Sequence, residues 1–214
     1  MDFIAKQIED YAGVFTADES EILSELSRET HAKVMTPRML SGHLQGQVLR
    51  MFSHMINPKN ILEIGTYTGY SALCMVDGLQ EGGKLITIDI NEELQDMILR
   101  YFDKAGRADS IDSRIGNALE IIPTLDFEFE MVFIDADKEN YSNYFDLVID
   151  SVSKGGYIIA DNVLWSGKVL EDDAELDKDT IALKDYAKKL KADSRVETVL
   201  LPVRDGLLVA RKLA

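Results

Sequence analysis

Two short stretches hold residues that can do chemistry together. "FIDADKENY" (133–141) runs from apolar positions into Asp135, Asp137, Lys138 and Glu139, and "ADNVLW" (160–165) sets Asp161 and Asn162 after another apolar run. Carboxylates beside a core lose hydration and require a cation, a ligand or an internal ion pair as partner. If the two apolar runs are neighbouring strands, Asp135, Asp161 and the amide oxygen of Asn162 converge on one point. Three hard oxygens without a nearby His or Cys select Mg²⁺, Mn²⁺ or Ca²⁺ over zinc, and His31, His43 and His54 all lie in the N-terminal part. The competing reading makes each Asp the cap of a following helix. Lys138 beside such an ion is a candidate general base, because a divalent charge favours a neutral amine and acidifies a nearby hydroxyl. As a purely structural residue it would pair with Asp135, Asp137 or Glu139.

A second set of residues suits a ligand. "EIGTYTGYS" (63–71) carries Glu63, then Gly65 and Gly69 spaced G-x-x-x-G, ahead of a helix expected from Tyr70 or Ser71. Glycines let a ligand approach the backbone, and a helix N-terminus offers free N–H groups to a carboxylate. The spacing is not the G-x-G-x-x-G of a pyrophosphate binder. "TIDIN" places Asp89 about 20 residues beyond Gly69, where an acidic side chain accepts ribose hydroxyls in dinucleotide folds. Its alternative role is to cap the helix expected near Glu92, a task open to Asn91 as well. Glu63 would repel a pyrophosphate but attract an ammonium. A nucleoside, an amino acid and a positive sulfonium together describe S-adenosylmethionine.

Positioning these residues requires an ordered scaffold. "ILEIG" (61–65), "KLITIDI" (84–90), "SRIGN" (113–117), "MVFID" (131–135) and "GYIIAD" (156–161) are short apolar runs separated by amphipathic segments. That alternation predicts βαβ units and a parallel sheet covered on both faces, with ligands beyond the carboxyl ends of the strands. "RVETVLLPV" and "GLLVARK", separated by Arg204 and Asp205, predict a C-terminal antiparallel hairpin. Residues 1–59 read as a helical extension: Thr16 and Glu19 form a capping-box pattern ahead of Ile22, Leu23 and Leu26, and "LQGQVLRMFSHMI" continues in helical period. The expected organisation is one α/β domain over 1–214, doubly wound and Rossmann-like from residue 60.

Composition narrows the partners. At 46% apolar the chain can bury a full core, and its net charge of −15 opposes binding to nucleic acid or anionic membrane, both of which need Lys and Arg clusters. One cysteine, Cys74, allows no intramolecular disulfide. With neither a signal-like N-terminus nor a run of about eighteen apolar residues, the expectation is a cytoplasmic protein.

The ordered set "EIGTYTGYS", "TIDIN", "GNALEIIP", "FIDADKENY", "DNVLWSGKV" and "LPVRDGLLVARK" resembles the cation-dependent class I O-methyltransferases, the group of catechol and caffeoyl-CoA O-methyltransferases, over residues 35 to 214. The resemblance implies a seven-stranded, mostly parallel sheet, usually in a homodimer. It implies Asp135, Asp161 and Asn162 as metal ligands and Lys138 as the catalytic residue. It sets S-adenosylmethionine against Glu63, Gly65, Ser71, Asp89, Ala118 and Asp137, with Ser41 covering the methionine end. Two departures stand out: Gly42, His43 and Leu44 replace a small-Pro-acidic run, and Arg204 stands where a small residue often precedes Asp-Gly. The resulting reading is methyl transfer to one hydroxyl of a small vicinal diol of the catechol type. Substrate choice is assigned to the acidic segment 164–179 together with the N-terminal segment, with Trp165 as a wall for an aromatic ring or as a core residue. The same segment disfavours large polyanions such as CoA thioesters. The alternatives are a transferase acting on hydroxylated uridine in tRNA, and a protein that holds S-adenosylmethionine without turnover.

Overall fold

Short runs of Ile, Leu, Val and Phe form strands buried on both faces, as a covered parallel sheet demands. In the computed structural model, which describes residues 5–172 and 176–214, the strands are β1 (Asn60–Ile64), β2 (Lys84–Asp89), β3 (Ile111–Ile115), β4 (Phe129–Ile134), β5 (Val152–Ala160), β6 (Val196–Leu201) and β7 (Leu207–Lys212), of which the edge strands β3 and β6 are less buried. They form one sheet in the order β3-β2-β1-β4-β5-β7-β6. Strands β1 to β5 are mutually parallel, and β7 is antiparallel to both β5 and β6. The seven-stranded Rossmann-like sheet with its C-terminal antiparallel pair is therefore present.

Side chains alternate between two cores. Met131 and Phe133 of β4 pack with Ile61, Leu85 and Ile159 beneath helices α2 (Glu21–Lys33), α3 (Gly42–Ile56), α4 (Tyr70–Met75) and α5 (Gln95–Lys104). Val132 and Ile134 pack on the other face with Leu62, Ile86 and Ile158 beneath α7 (Tyr141–Val148) and α8 (Lys178–Ala192). Helix α1 (Lys6–Val14) precedes them, and the short α6 (Ala118–Ile121) follows β3. Among the described residues no helix is long and apolar enough to cross a membrane.

Several boundaries differ from expectation. Helix α2 starts at Glu21 with Ser20 as its cap, whose side chain accepts from the Leu23 amide. Thr16 instead donates to the Ala12 carbonyl at the end of α1, and Glu19 accepts from the Tyr70 hydroxyl, so the two are not a capping box. Strand β3 ends two residues early, where Gly116 takes φ 148° and Asn117 caps α6 by accepting from the Leu119 amide. The final hairpin closes through residues 202–206 instead of two, because Pro202 has no N–H to continue the ladder.

Candidate active site

The parallel register aligns the polar strand ends. Ile64 pairs with Ile88 on one side and Ile134 on the other, and Ile134 pairs with Ala160. The next residues, Gly65, Asp89, Asp135 and Asp161, therefore lie in one row, and the amides of Gly65, Asp135 and Asp161 extend the ladders at 2.8–3.0 Å. A cavity of about 1550 Å³ opens over this row. Its wall includes Gly65, Asp89, Ala118, Asp135 and Asp137, followed by Lys138, Asp161 and Asn162.

The β1–α4 turn is shaped by contact with β4. Gly65 has φ 102°, and a Cβ there would lie 2.0 Å from the Asp135 carbonyl oxygen, so no side chain fits. Tyr67 takes φ 51° and donates its amide to Asp89 Oδ2 at 2.7 Å. Asp89 Oδ1 accepts from the Asn91 amide, and Asn91, not Asp89, caps the following turn by accepting from Glu93. Asp89 thus braces the glycine turn while remaining on the cavity wall.

Glu63, Ser71 and Ser41 are not on this wall. Glu63 is fully buried behind it and accepts from the Ser71 and Thr87 hydroxyls, each at 2.5 Å. Burial pushes its carboxyl up to about 8; the two hydroxyl donors oppose the rise and the charges of Asp135 and Asp89 add to it. Ser41 lines a smaller neighbouring depression with His43, Leu44 and Arg204. Asp137 accepts from Asn140 Nδ2 and from the Tyr144 hydroxyl, each at 2.5 Å.

The opening stretch forms a lysine-centred cluster. Lys138 Nζ lies 3.1 Å from Asp135 Oδ1, 2.8 Å from Asn162 Oδ1 and 2.6 Å from the Tyr141 hydroxyl, and is only 8% exposed. The Trp165 ring centroid is 5.6 Å from the same nitrogen. Trp165 and Ser166 take φ 46° and 52°, and the Ser166 amide is held by Asp205 Oδ1 at 2.6 Å. Burial, with the charges of Asp135 and Asp161, holds the Tyr141 hydroxyl protonated, so it accepts from Lys138 and donates to the Asp161 carbonyl. The expected Lys138–Asp135 ion pair is therefore present; Asp137 and Glu139 are not its partners among the described residues.

The donor set fits a hard divalent cation. Two of the three oxygens, from Asp135 and Asn162, already surround one positive centre, and all are carboxylate or amide oxygens. Asp161 is raised to about 7, first by burial and then by the charge of Asp135. Among the described residues no group of three or more His, Cys, Asp or Glu is arranged for a metal, so an ion here would rest on two carboxylates and one amide. Neither Asp takes helix-cap amides: Asp161 accepts from its neighbour Asn162 and from Gln45, and Asp135 from Lys138.

Gln45, Tyr141 and Arg204 join this site without having been assigned to it from sequence. Gln45 shares a helix face with buried Leu49 and Ser53, and a polar residue on such a stripe is a legible signal. The segment 164–179 reaches the site through Trp165, Ser166 and Lys168, and its residues Asp173, Ala174 and Glu175 lie outside the described ones.

A family model described as O-methyltransferase matches residues 14–213. Caffeoyl-CoA O-methyltransferase 1 of Eucalyptus globulus is 41% identical over 92% of this chain and 83% of its own length, and the Petroselinum crispum caffeoyl-CoA O-methyltransferase is 40% identical over 92% and 86%. Among solved structures, the Bacillus cereus O-methyltransferase in complex with SAH has a TM-score of 0.89 at 27% identity, covering 96% of this chain and 97% of that one. The Streptomyces achromogenes O-methyltransferase TomG, in complex with SAM, gives 0.90 at 27%, covering 97% and 96%. Matched across nearly its whole length, this chain belongs to the O-methyltransferase family and is an enzyme that takes its methyl group from S-adenosylmethionine.

Proposed function

We propose that this enzyme methylates one hydroxyl of a small catechol-type diol, with a divalent cation held by Asp135, Asp161 and Asn162 and with Lys138 as the base. The observation that carries this reading is the convergence of Asp135, Asn162 and Lys138 at one point of the cavity wall, beneath the Trp165 ring. A divalent cation, when bound, supplies the charge that favours ionisation of a substrate hydroxyl. Asp135 and Asn162 would give up their bonds to Lys138 to hold it, and the nearby cation charge would favour loss of the lysine's proton to solvent, leaving a neutral amine to accept the hydroxyl proton. Tyr141 keeps that nitrogen in place. Asp89 and Asp137 orient the cofactor, so that the oxygen attacks the methyl carbon while the C–S electron pair leaves on sulfur; most of the acceleration is positioning and charge stabilisation.

A CoA thioester is the second reading, favoured by the names of relatives at about 40% identity. The acidic segment 164–179 weighs against it, with its Glu171 and Asp172 exposed. The test is a methyl-transfer screen over catechol, caffeic acid, caffeoyl-CoA and monophenols, before and after EDTA. Activity should favour free diols, vanish on chelation and return with Mg²⁺ or Mn²⁺. Full activity after exhaustive chelation overturns the cation, and a large preference for the thioester overturns the substrate class.

A further inference from the structure

Behind the proposed ligand Asp161, and off the cavity wall, Gln45 links that carboxylate to Arg204, which returns to the cavity rim. Gln45, 1% exposed on α3, donates Nε2 to Asp161 Oδ2 at 2.6 Å. Its Oε1 accepts from Arg204 Nη1 at 3.1 Å, and the same nitrogen donates to the carbonyls of Leu40 and Ser41. A guanidinium has no acceptor, so the Gln45 oxygen must face Arg204 and its nitrogen must face the carboxylate. The other Asp161 oxygen accepts from the Asn162 amide at 2.7 Å. Both oxygens of this buried carboxylate are thereby oriented before any ligand arrives, one of them from a helix 116 residues away in sequence.

We infer that Gln45, oriented by Arg204, is a positioning residue for the cation site and couples it to the seating of segment 37–45. The inference rests on the cation reading above. Gln45 is absent from the cavity wall, so it acts through Asp161, as partners behind metal ligands commonly do. The guanidinium that fixes Gln45 also ties down Leu40 and Ser41, so cation binding and docking of this segment should strengthen each other reciprocally.

The test uses the full chain, Mn²⁺ as the probe by electron paramagnetic resonance, and S-adenosylhomocysteine affinity by calorimetry. Gln45→Leu keeps the side-chain bulk and removes the donor; Mn²⁺ affinity should fall roughly 10- to 100-fold, with cofactor-product affinity unchanged. Arg204 has φ 49°, which Asn tolerates, so Arg204→Asn keeps the turn and should weaken Mn²⁺ in the same direction. Arg204→Lys, which can still donate to Gln45, should recover part of the loss. In wild type, Mn²⁺ should slow amide exchange over residues 40–46, and in Gln45→Leu it should not. Unchanged Mn²⁺ affinity in either folded variant, or an equal loss of both affinities, overturns the inference and leaves the cation reading standing. A wild type that binds no Mn²⁺ overturns both.

Discussion

Lys138 is held by Asp135, Asn162 and Tyr141, and its removal should separate two roles. Lys138→Ala should lower kcat about 10²- to 10⁴-fold at neutral pH while leaving cofactor affinity intact, with partial recovery as rising pH lets hydroxide take the proton. Cation-free protein should also lose roughly 1–3 kcal/mol, because Asp135 loses its ion-pair partner. Unchanged kcat with a lowered melting point would leave Lys138 only the ion pair. Glu63 offers a titration instead. Its folded pKa of about 8 lies above that of a free glutamate, so its contribution to stability is complete below about pH 4.5 and is lost as pH rises through 8. The cofactor-free melting temperature should therefore decline between pH 5 and 9, by a loss on the order of 3 kcal/mol, and Glu63→Gln should flatten that decline. An identical decline in the variant assigns it to other groups. That Asp135, Lys138, Asp161 and Asn162 would come together was legible in sequence, because they follow two apolar runs that pair as neighbouring strands. The pairing of Gln45 with Arg204 was not, since the two are 159 residues apart and only tertiary packing brings them together, although Gln45 alone stood out as a polar residue on an apolar stripe.

Elements were legible where burial on both faces imposes an apolar run, as in β1, β2 and β4. Their ends were less so, because caps compete locally: Ser20 and Thr16 both suit a helix start, and only the position of α1 decides between them. The β1–α4 turn shows how tightly elements meet. Gly65→Ala should cost roughly 2–4 kcal/mol and abolish cofactor binding, since the new Cβ collides with the Asp135 backbone at a positive φ. Gly82→Ala, with φ 71° but open space, should cost only about 1 kcal/mol. Chemical denaturation of both variants, with calorimetry of S-adenosylhomocysteine, checks the contrast; equal costs would mean that strain, not the collision, governs Gly65.

At the scale of the whole molecule, the charge of −15 produces a field that resists polyanions. Transfer of labelled methyl groups should accordingly reach free catechols and not tRNA at physiological salt; tRNA labelling that survives Asp161→Ala or exceeds the catechol rate would reverse the substrate assignment. The aligned row of Asp89, Gly65, Asp135 and Asp161 sets another property of the whole. Adjacent strands lie about 4.8 Å apart, so the three steps of the row span about 14 Å of backbone. The sheet is thus a ruler whose graduations are hydrogen-bond spacings, indifferent to which side chains it carries. In the proposed reading one end of that ruler receives a ribose and the other the attacking oxygen. Loop substitutions can change the acceptor molecule without altering this reach, which strand spacing alone sets.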